Sequence, residues 1–155
     1  MKQLKVKRLT ETAELPYKAH ASDAGFDIFA DETVEILPGQ TVLVSTGISM
    51  AIPMGYYGRL KSRSGLTAKT PLRIQEGTID AGYIGEIKVI AECKAIDFFR
   101  DDEEYIAMNY GRYTINKGDK IAQLIIQPLP EVQLCISDSL DDTERGEGGF
   151  GSSGN

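Results

Sequence analysis

The chain ends in a segment whose residue types suit an anionic aromatic ligand. Residues 145–155 read RGEGGFGSSGN, so Arg145 and Phe150 lie five residues apart among five glycines. Glycine loses much backbone entropy on ordering, so this segment cannot build a core. A guanidinium pairs with phosphate, and an aromatic ring stacks on a base. The segment predicts a flap that closes over a phosphorylated aromatic ligand. The structural alternative is a frayed terminus.

A second group of polar residues follows a predicted strand. Residues 59–69 read RLKSRSGLTAK, in which Arg63, Ser64 and Gly65 place a guanidinium, a hydroxyl and a permissive backbone in succession. If a helix begins near Gly65, its free N–H groups add an anion site. The structural alternative is a helix start with Ser64 as its N-cap, and the two interpretations are compatible.

Residues 77–86, GTIDAGYIGE, place a carboxylate and a phenol close together. We expect a hairpin at Asp80–Tyr83 in which Gly82 supplies a positive φ. The aspartate either serves a site or only forms the turn. Further along, Gln123 is the one polar side chain in the apolar run of residues 121–126, so it is a structural hydrogen-bonder or faces a polar site.

Strands must position these groups. Short β-branched runs broken by Pro and Gly turns predict an all-β fold, a barrel or sandwich. The predicted strands are Leu4–Leu9, Val34–Leu37, Thr41–Ser45, Ile48–Ile52, Tyr56–Leu60, Ile84–Glu92, Tyr113–Ile115, Ile121–Ile126 and Glu131–Ile136, with one short helix around Gly65–Lys69.

Composition excludes several classes of protein. A length of 155 residues favours one domain, and a net charge of −6 argues against non-specific nucleic-acid binding. Cys93 and Cys135 are expected to be buried thiols of a cytoplasmic protein. A single histidine, His20, gives little support to a histidine-activated nucleophile or a zinc site. No run resembles a signal peptide or a membrane span, so we expect no membrane partner.

Two polar segments divide the chain. Residues 94–113 carry a charge cluster and are long for a strand connection, so we treat them as an insertion in a β domain of residues 1–136. Residues 137–144, SDSLDDTE, form an acidic linker that gives the tail its reach. Residues 145–155 then form a flexible lid.

Five segments in order resemble the five motifs of the homotrimeric dUTPase family. They are AGFDI at 24–28, SRSGL at 62–66, GTIDAGY at 77–83, GDKIAQL at 118–124 and RGEGGFGSSG at 145–154. The resemblance covers nearly the whole chain. It implies a distorted jelly-roll homotrimer with a mobile glycine-rich tail. It also implies Mg²⁺-dependent hydrolysis of dUTP to dUMP and pyrophosphate, which limits uracil in DNA.

The resemblance also implies roles for individual residues. Asp80 is the expected base, which activates a water for attack on the α-phosphorus. Tyr83 packs against the deoxyribose, where a 2′-hydroxyl would clash. The other expected substrate contacts are the main chain of Gly77, Thr78 and Ile79 at uracil, Arg63, Ser64, Gly65 and Gln123 at the phosphates, Lys88 near the ligand, Arg145 at the γ-phosphate, Phe150 on uracil, and Gly151 and Ser152 in the lid.

The metal and the departures from the family pattern complete these expectations. Mg²⁺ is expected on the triphosphate oxygens and waters with no direct protein ligand, and Asp27 is a candidate second-shell residue. Ser62 stands where many members have proline, and Ile74 where many have an asparagine that touches the base. The insertion at 94–113 resembles that of phage-encoded members.

Two alternative functions stay open. The first is a regulatory module that uses dUTP-gated closure to act on a protein partner through residues 94–113. The second is the related dCTP deaminase, against which Asp80, Tyr83 and the glycine-rich tail argue.

Overall fold

The computed structural model describes residues 2–94, 112–144 and 146, and the regular secondary structure in them is almost entirely β-strand. The strands are β1 (Lys5–Arg8), β2 (Phe26–Phe29), β3 (Val34–Ile36), β4 (Thr41–Ala51), β5 (Tyr56–Lys61), β6 (Leu72–Ile74), β7 (Gly77–Ile79), β8 (Glu86–Cys93), β9 (Tyr113–Ile115) and β10 (Lys120–Pro128). One helix, α1 (Ser64–Lys69), lies between β5 and β6. The predicted all-β class is confirmed.

The strands form two four-stranded sheets and one two-stranded sheet, all with antiparallel pairing. The first sheet has the order β1-β4-β8-β6, the second β2-β10-β5-β7, and the third pairs β3 with β9. In β8 the buried side chains alternate with more exposed ones, as expected for a strand that has one face on the core. Ile28, Val44, Val89 and Leu124 are fully buried in a single apolar cluster.

β4 contains a bulge and combines two strands that were predicted separately. The predicted strands Thr41–Ser45 and Ile48–Ile52 form one strand, and its pairing with β8 shifts register between Ser45 and Ser49. Gly47 lies in this shift with a φ of +64°, and a Cβ there would stand 2.5 Å from an Asp31 carboxylate oxygen. Both the backbone conformation and the close approach therefore require glycine.

The segment after β10 does not form its predicted strand. Glu131–Ile136 has no strand pairing in the described part of the chain, and its apolar side chains are exposed. An alternating sequence needs a sheet edge to pair with, and this segment pairs with none among the described residues. Cys135 is accordingly exposed, contrary to the prediction, whereas Cys93 is buried as predicted. Burial raises the pKa of the Cys93 thiol, which keeps it protonated.

The helix that the described residues contain is only six residues long, too short to cross a membrane.

Candidate active site

One cleft in the described part of the chain is formed around the segment that follows β7. This Asp80 cleft has a volume of about 400 Å³ and is lined by apolar side chains together with Gly77, Thr78, Ile79, Asp80, Tyr83, Glu86 and Lys88. β7 is the edge strand of its sheet, so backbone N–H and C=O groups on its outer side have no strand partner. Such groups can pair with the polar edge of a planar ligand.

The turn after Asp80 connects two sheets and is not the predicted hairpin. β7 pairs with β5 in one sheet, whereas β8 pairs with β4 and β6 in the other. The N–H of Tyr83 donates to the carbonyl of Asp80 at 3.1 Å and closes the turn. Gly82 does not have the predicted positive φ. A turn between sheets does not need the mirror-image backbone that a tight hairpin requires.

The side chains of this cleft provide an open carboxylate beside a tethered phenol. Within the described residues, no group donates a hydrogen bond to the Asp80 carboxylate, so its oxygens can accept one from a water. Tyr83 is 47% exposed, and its hydroxyl donates to the carbonyl of Glu86 at 2.8 Å. Lys88 Nζ lies 3.6 Å from a carboxylate oxygen of Glu86. The cleft can thus hold a polar planar ligand against a carboxylate.

A second cleft lies at the start of α1. This Arg63 cleft has a volume of about 480 Å³ and is lined by Arg63, Ser64, Gly65, Asp27 and Gln123, among others. Arg63, not Ser64, is the N-cap, and no side chain makes a capping bond. Ser64 is the first helical residue, so the N-cap prediction was wrong. Its hydroxyl is not used for capping and remains able to contact a ligand in the cleft.

A carboxylate between two cations orients Arg63. Asp27 Oδ1 lies 3.1 Å from Arg63 Nε, and Asp27 Oδ2 lies 3.0 Å from Lys120 Nζ. The carbonyl of Lys120 accepts a hydrogen bond from Arg63 Nη1 at 2.9 Å. The hydrogen bond to the Tyr17 hydroxyl is the largest cause that raises the pKa of Lys120, and the hydrogen bond to Asp27 is the next largest. Asp27 therefore supports the site by fixing the Arg63 guanidinium.

The sequence analysis missed Lys120 and Tyr17 as supporting residues. Lys120 lies within the segment GDKIAQL, three residues before Gln123, and that position was the available signal. Tyr17 carried none, since it lies outside all five segments and reaches the site only through the fold.

Gln123 combines both roles that the sequence left open. Its Nε2 donates to the carbonyl of Ser62 at 2.9 Å, and the side chain also lines the Arg63 cleft. Gly25 leaves room for it, since a Cβ there would stand 3.0 Å from Gln123 Oε1. Glycine in the segment AGFDI therefore allows the close approach of this amide.

One chain does not bring the two clefts together. They share no lining residue. Ile79 is paired with Gly58 on β5, so Asp80 is level with Tyr57, whereas Arg63 follows six residues further along. A strand rises about 3.3 Å per residue, so Asp80 and Arg63 are roughly 20 Å apart along β5. The predicted base and the predicted phosphate ligands thus lie at opposite ends of this strand.

The two clefts do not account for every expectation from the sequence. Ile74 is buried in β6 opposite Ala91 and lines neither cleft. The described residues contain no cluster of three His, Cys, Asp or Glu side chains placed to hold a metal ion. The predicted lid residues Arg145, Phe150, Gly151 and Ser152 lie outside the described residues.

Comparison with known proteins gives matches over nearly the whole chain. The family model named dUTPase matches residues 11–154. The deoxyuridine 5'-triphosphate nucleotidohydrolase of Clostridium kluyveri is 41% identical over 154 residues, which cover 98% of this chain and 98% of that protein.

Solved structures of phage proteins match as well. The Staphylococcus bacteriophage 80alpha dUTPase with dUPNHPP, described as controlling transfer of virulence genes by a proto-oncogenic G protein-like mechanism, has a TM-score of 0.88. It is 37% identical, and the match covers 100% of both chains. A mutant dUTPase from phage phi11 of S. aureus, described as coordinating a structural Mg(II) ion, has a TM-score of 0.78 and 38% identity, covering 89% of this chain and 98% of that one.

Proposed function

The chain belongs to the dUTPase family, and we propose that it hydrolyses dUTP to dUMP and pyrophosphate with Asp80 as the base. The match of the family over residues 11–154 carries this function. The open carboxylate of Asp80 in a cleft beside a free strand edge supports the assignment of the base.

In the proposed reaction, Asp80 accepts a proton from a water as that water attacks the α-phosphorus. The bond between the α-phosphorus and the α/β bridging oxygen breaks, and pyrophosphate leaves. The outer edge of β7, at Gly77, Thr78 and Ile79, pairs with the polar edge of uracil, where cytosine presents the wrong donors. Tyr83 packs against the deoxyribose.

The proposed phosphate site is the Arg63 cleft. Arg63, held by Asp27, donates to the phosphate oxygens, with Ser64, Gly65 and Gln123 beside it. These donors stabilise the negative charge that develops on the leaving oxygen. Mg²⁺, bound by the triphosphate oxygens and waters, would supply further charge stabilisation there. Both oxygens of Asp27 already face cations, which fits a supporting role better than direct metal ligation.

We propose a homotrimer in which different subunits contribute the two clefts to one active site. The separation of roughly 20 Å along β5 supports this, because one nucleotide cannot span that distance to contact both Asp80 and Arg63 of the same chain. The segment after β10 also supports association between subunits. Val132, Leu134 and Ile136 alternate along it and are 89%, 99% and 100% exposed in the single chain. Burial against a neighbouring subunit would remove this apolar surface from water.

Mixing two inactive variants tests the shared site. Asp80→Asn lacks the base and Arg63→Ala lacks the phosphate ligand, so each trimer alone should hydrolyse dUTP poorly. Trimers reassembled from a mixture should regain part of the wild-type rate, since some sites then combine an intact Asp80 with an intact Arg63 from another subunit. The measurement is pyrophosphate release after denaturation and refolding of the mixture.

The control is each variant refolded alone. A mixture no more active than its components, with mixed trimers demonstrated by mass, would contradict the shared site while leaving the activity of the wild-type protein untouched.

A substrate panel tests the proposed activity. Pyrophosphate release should be fast from dUTP and slow from dCTP, dTTP and UTP, and chelation of Mg²⁺ should lower it. A pocket that selects by shape alone lowers kcat/KM for the wrong substrate by roughly 10–200-fold. A pocket whose polar groups stay unpaired with the wrong substrate lowers kcat/KM further. The nucleotide products are identified as well, and conversion of dCTP to dUTP would instead support the related deaminase. Equal rates of pyrophosphate release from all four nucleotides would contradict the proposed pocket.

A second function is proposed only as an addition to this one. The phage 80alpha relative is described as controlling gene transfer, and residues 94–113 of this chain are a candidate surface for a protein partner. Of these, residues 95–111 lie outside the described residues, so the partner surface stays a prediction from sequence. We further propose a cytoplasmic location, in the host cytoplasm if the protein is phage-encoded, with no nucleic-acid or membrane partner.

A further inference from the structure

The ring of Tyr83 lies against the backbone of Gly85, two residues further along the chain. A Cβ atom on Gly85 would stand 2.5 Å from the Tyr83 hydroxyl oxygen, 2.7 Å from Cζ and 3.0 Å from Cε2. These separations are well below the optimal contact of about 3.5–4.0 Å between carbon atoms. The hydroxyl also donates to the carbonyl of Glu86 at 2.8 Å. The ring is thus folded back over the chain and tethered there.

Gly85 is needed at this position for space and not for backbone conformation. Its φ lies outside the left-handed region, so alanine can adopt the same backbone. The three atoms nearest to a Cβ at this position all belong to the Tyr83 side chain. Gly82, in the preceding turn, differs, because a Cβ there would meet no atom within 4 Å. A methyl group on Gly85 would therefore act on the Tyr83 ring.

We infer that Gly85 is a positioning residue that affects sugar specificity through Tyr83. The absent side chain of Gly85 provides the space in which the ring folds back, and this fixes where the ring meets the 2′ position of the sugar. The inference rests on the proposed function, in which Tyr83 packs against the deoxyribose. A methyl group on Gly85 displaces the ring and breaks its hydrogen bond to the Glu86 carbonyl. The released ring no longer holds its place, and a ribose 2′-hydroxyl gains room.

The test measures kcat/KM for UTP and dUTP in four variants. Gly85→Ala should raise the UTP/dUTP ratio at least about fivefold, and Tyr83→Ala should raise it at least as much, within the roughly 10–200-fold that pocket shape supplies. The double variant should match Tyr83→Ala alone, because the added methyl then has no ring to displace. Gly82→Ala is the matched glycine control, and its ratio should equal that of the wild-type protein. A merely structural role of Gly85 would not move this ratio.

The outcomes separate this inference from the proposed function. If Tyr83→Ala leaves the UTP/dUTP ratio unchanged, Tyr83 has no role in sugar selection. This result would overturn both the proposed contact and the inference. If the UTP/dUTP ratio rises in Tyr83→Ala but is unchanged or lower in Gly85→Ala, only the inference is overturned. If Gly85→Ala does not fold, the double variant decides. A folded double variant shows that the methyl met the ring, as inferred, whereas failure of both variants overturns the inference.

Discussion

Asp80→Asn is expected to lower kcat for dUTP hydrolysis by about 10²–10⁴-fold, the usual loss when a general base is removed. The amide keeps the size of the carboxylate but cannot accept the proton of the attacking water. Asp80 is exposed at the end of β7, and no other described group donates to its carboxylate, so the substitution should leave the fold intact. The measurement is pyrophosphate release in single-turnover and steady-state assays.

Binding separates a lost base from a damaged pocket. The affinity of Asp80→Asn for a non-hydrolysable dUTP analogue should stay within about tenfold of the wild-type affinity, which corresponds to about 1.4 kcal/mol. Asp142→Asn, in the exposed acidic segment after β10, makes the same chemical change away from both clefts and should retain the wild-type rate. Near-normal turnover in Asp80→Asn would remove this residue from the role of base.

The sequence predicted those parts of the fold that depend on local chemistry. β-branched runs between Pro and Gly turns gave the all-β class, and α1 begins one residue before its predicted start. Gln123 was recognised because a polar side chain in an apolar strand needs a partner, and it has one in the carbonyl of Ser62. These features follow from propensity and from hydrogen-bond satisfaction, which neighbouring residues determine.

The features that were missed depend on which strands meet in space. Asp80–Tyr83 has the composition of a hairpin, yet the flanking strands enter different sheets, and only long-range pairing decides that. Glu131–Ile136 has the alternation of a strand but pairs with no sheet edge in the part of the chain that the structure describes. The contact of Tyr17 with Lys120 spans 103 residues, so no local pattern could predict it.

The proposed division of the site between subunits also depends on which strands meet in space. Arg63 and Asp80 are only 17 residues apart in the sequence, but this separation does not show where they lie in space. The antiparallel pairing of β5 with β7 puts them at opposite ends of a strand. The sequence therefore names candidate residues but not their arrangement, and the arrangement is what leads to the proposed shared site.

Deletion of residues 145–155 is expected to lower kcat/KM for dUTP by roughly 100-fold or more while leaving the ligand-free protein folded. Hydrogen bonds to charged groups contribute about 1.5–3 kcal/mol and base stacking about 1–3 kcal/mol, and each 1.4 kcal/mol is tenfold. The deletion removes both Arg145 and Phe150, the expected contacts with phosphate and uracil. The glycine-rich segment has no aliphatic residue to contribute to the core, so the Tm without ligand should change little.

Two comparisons make the result of this deletion specific. Removal of residues 154–155 alone keeps Arg145, Phe150, Gly151 and Ser152, the tail residues with expected substrate contacts, and should keep the wild-type kcat/KM. A dUTP analogue should raise the Tm of the wild-type protein more than that of the protein lacking residues 145–155, because only the intact tail can close on the ligand. A large fall in Tm without ligand would make the tail part of the folded core, and full activity of the shortened protein would exclude a lid. The fall in Tm would also conflict with the composition of the segment, in which a cation and an aromatic ring are carried by a backbone too rich in glycine to hold them in place without a ligand.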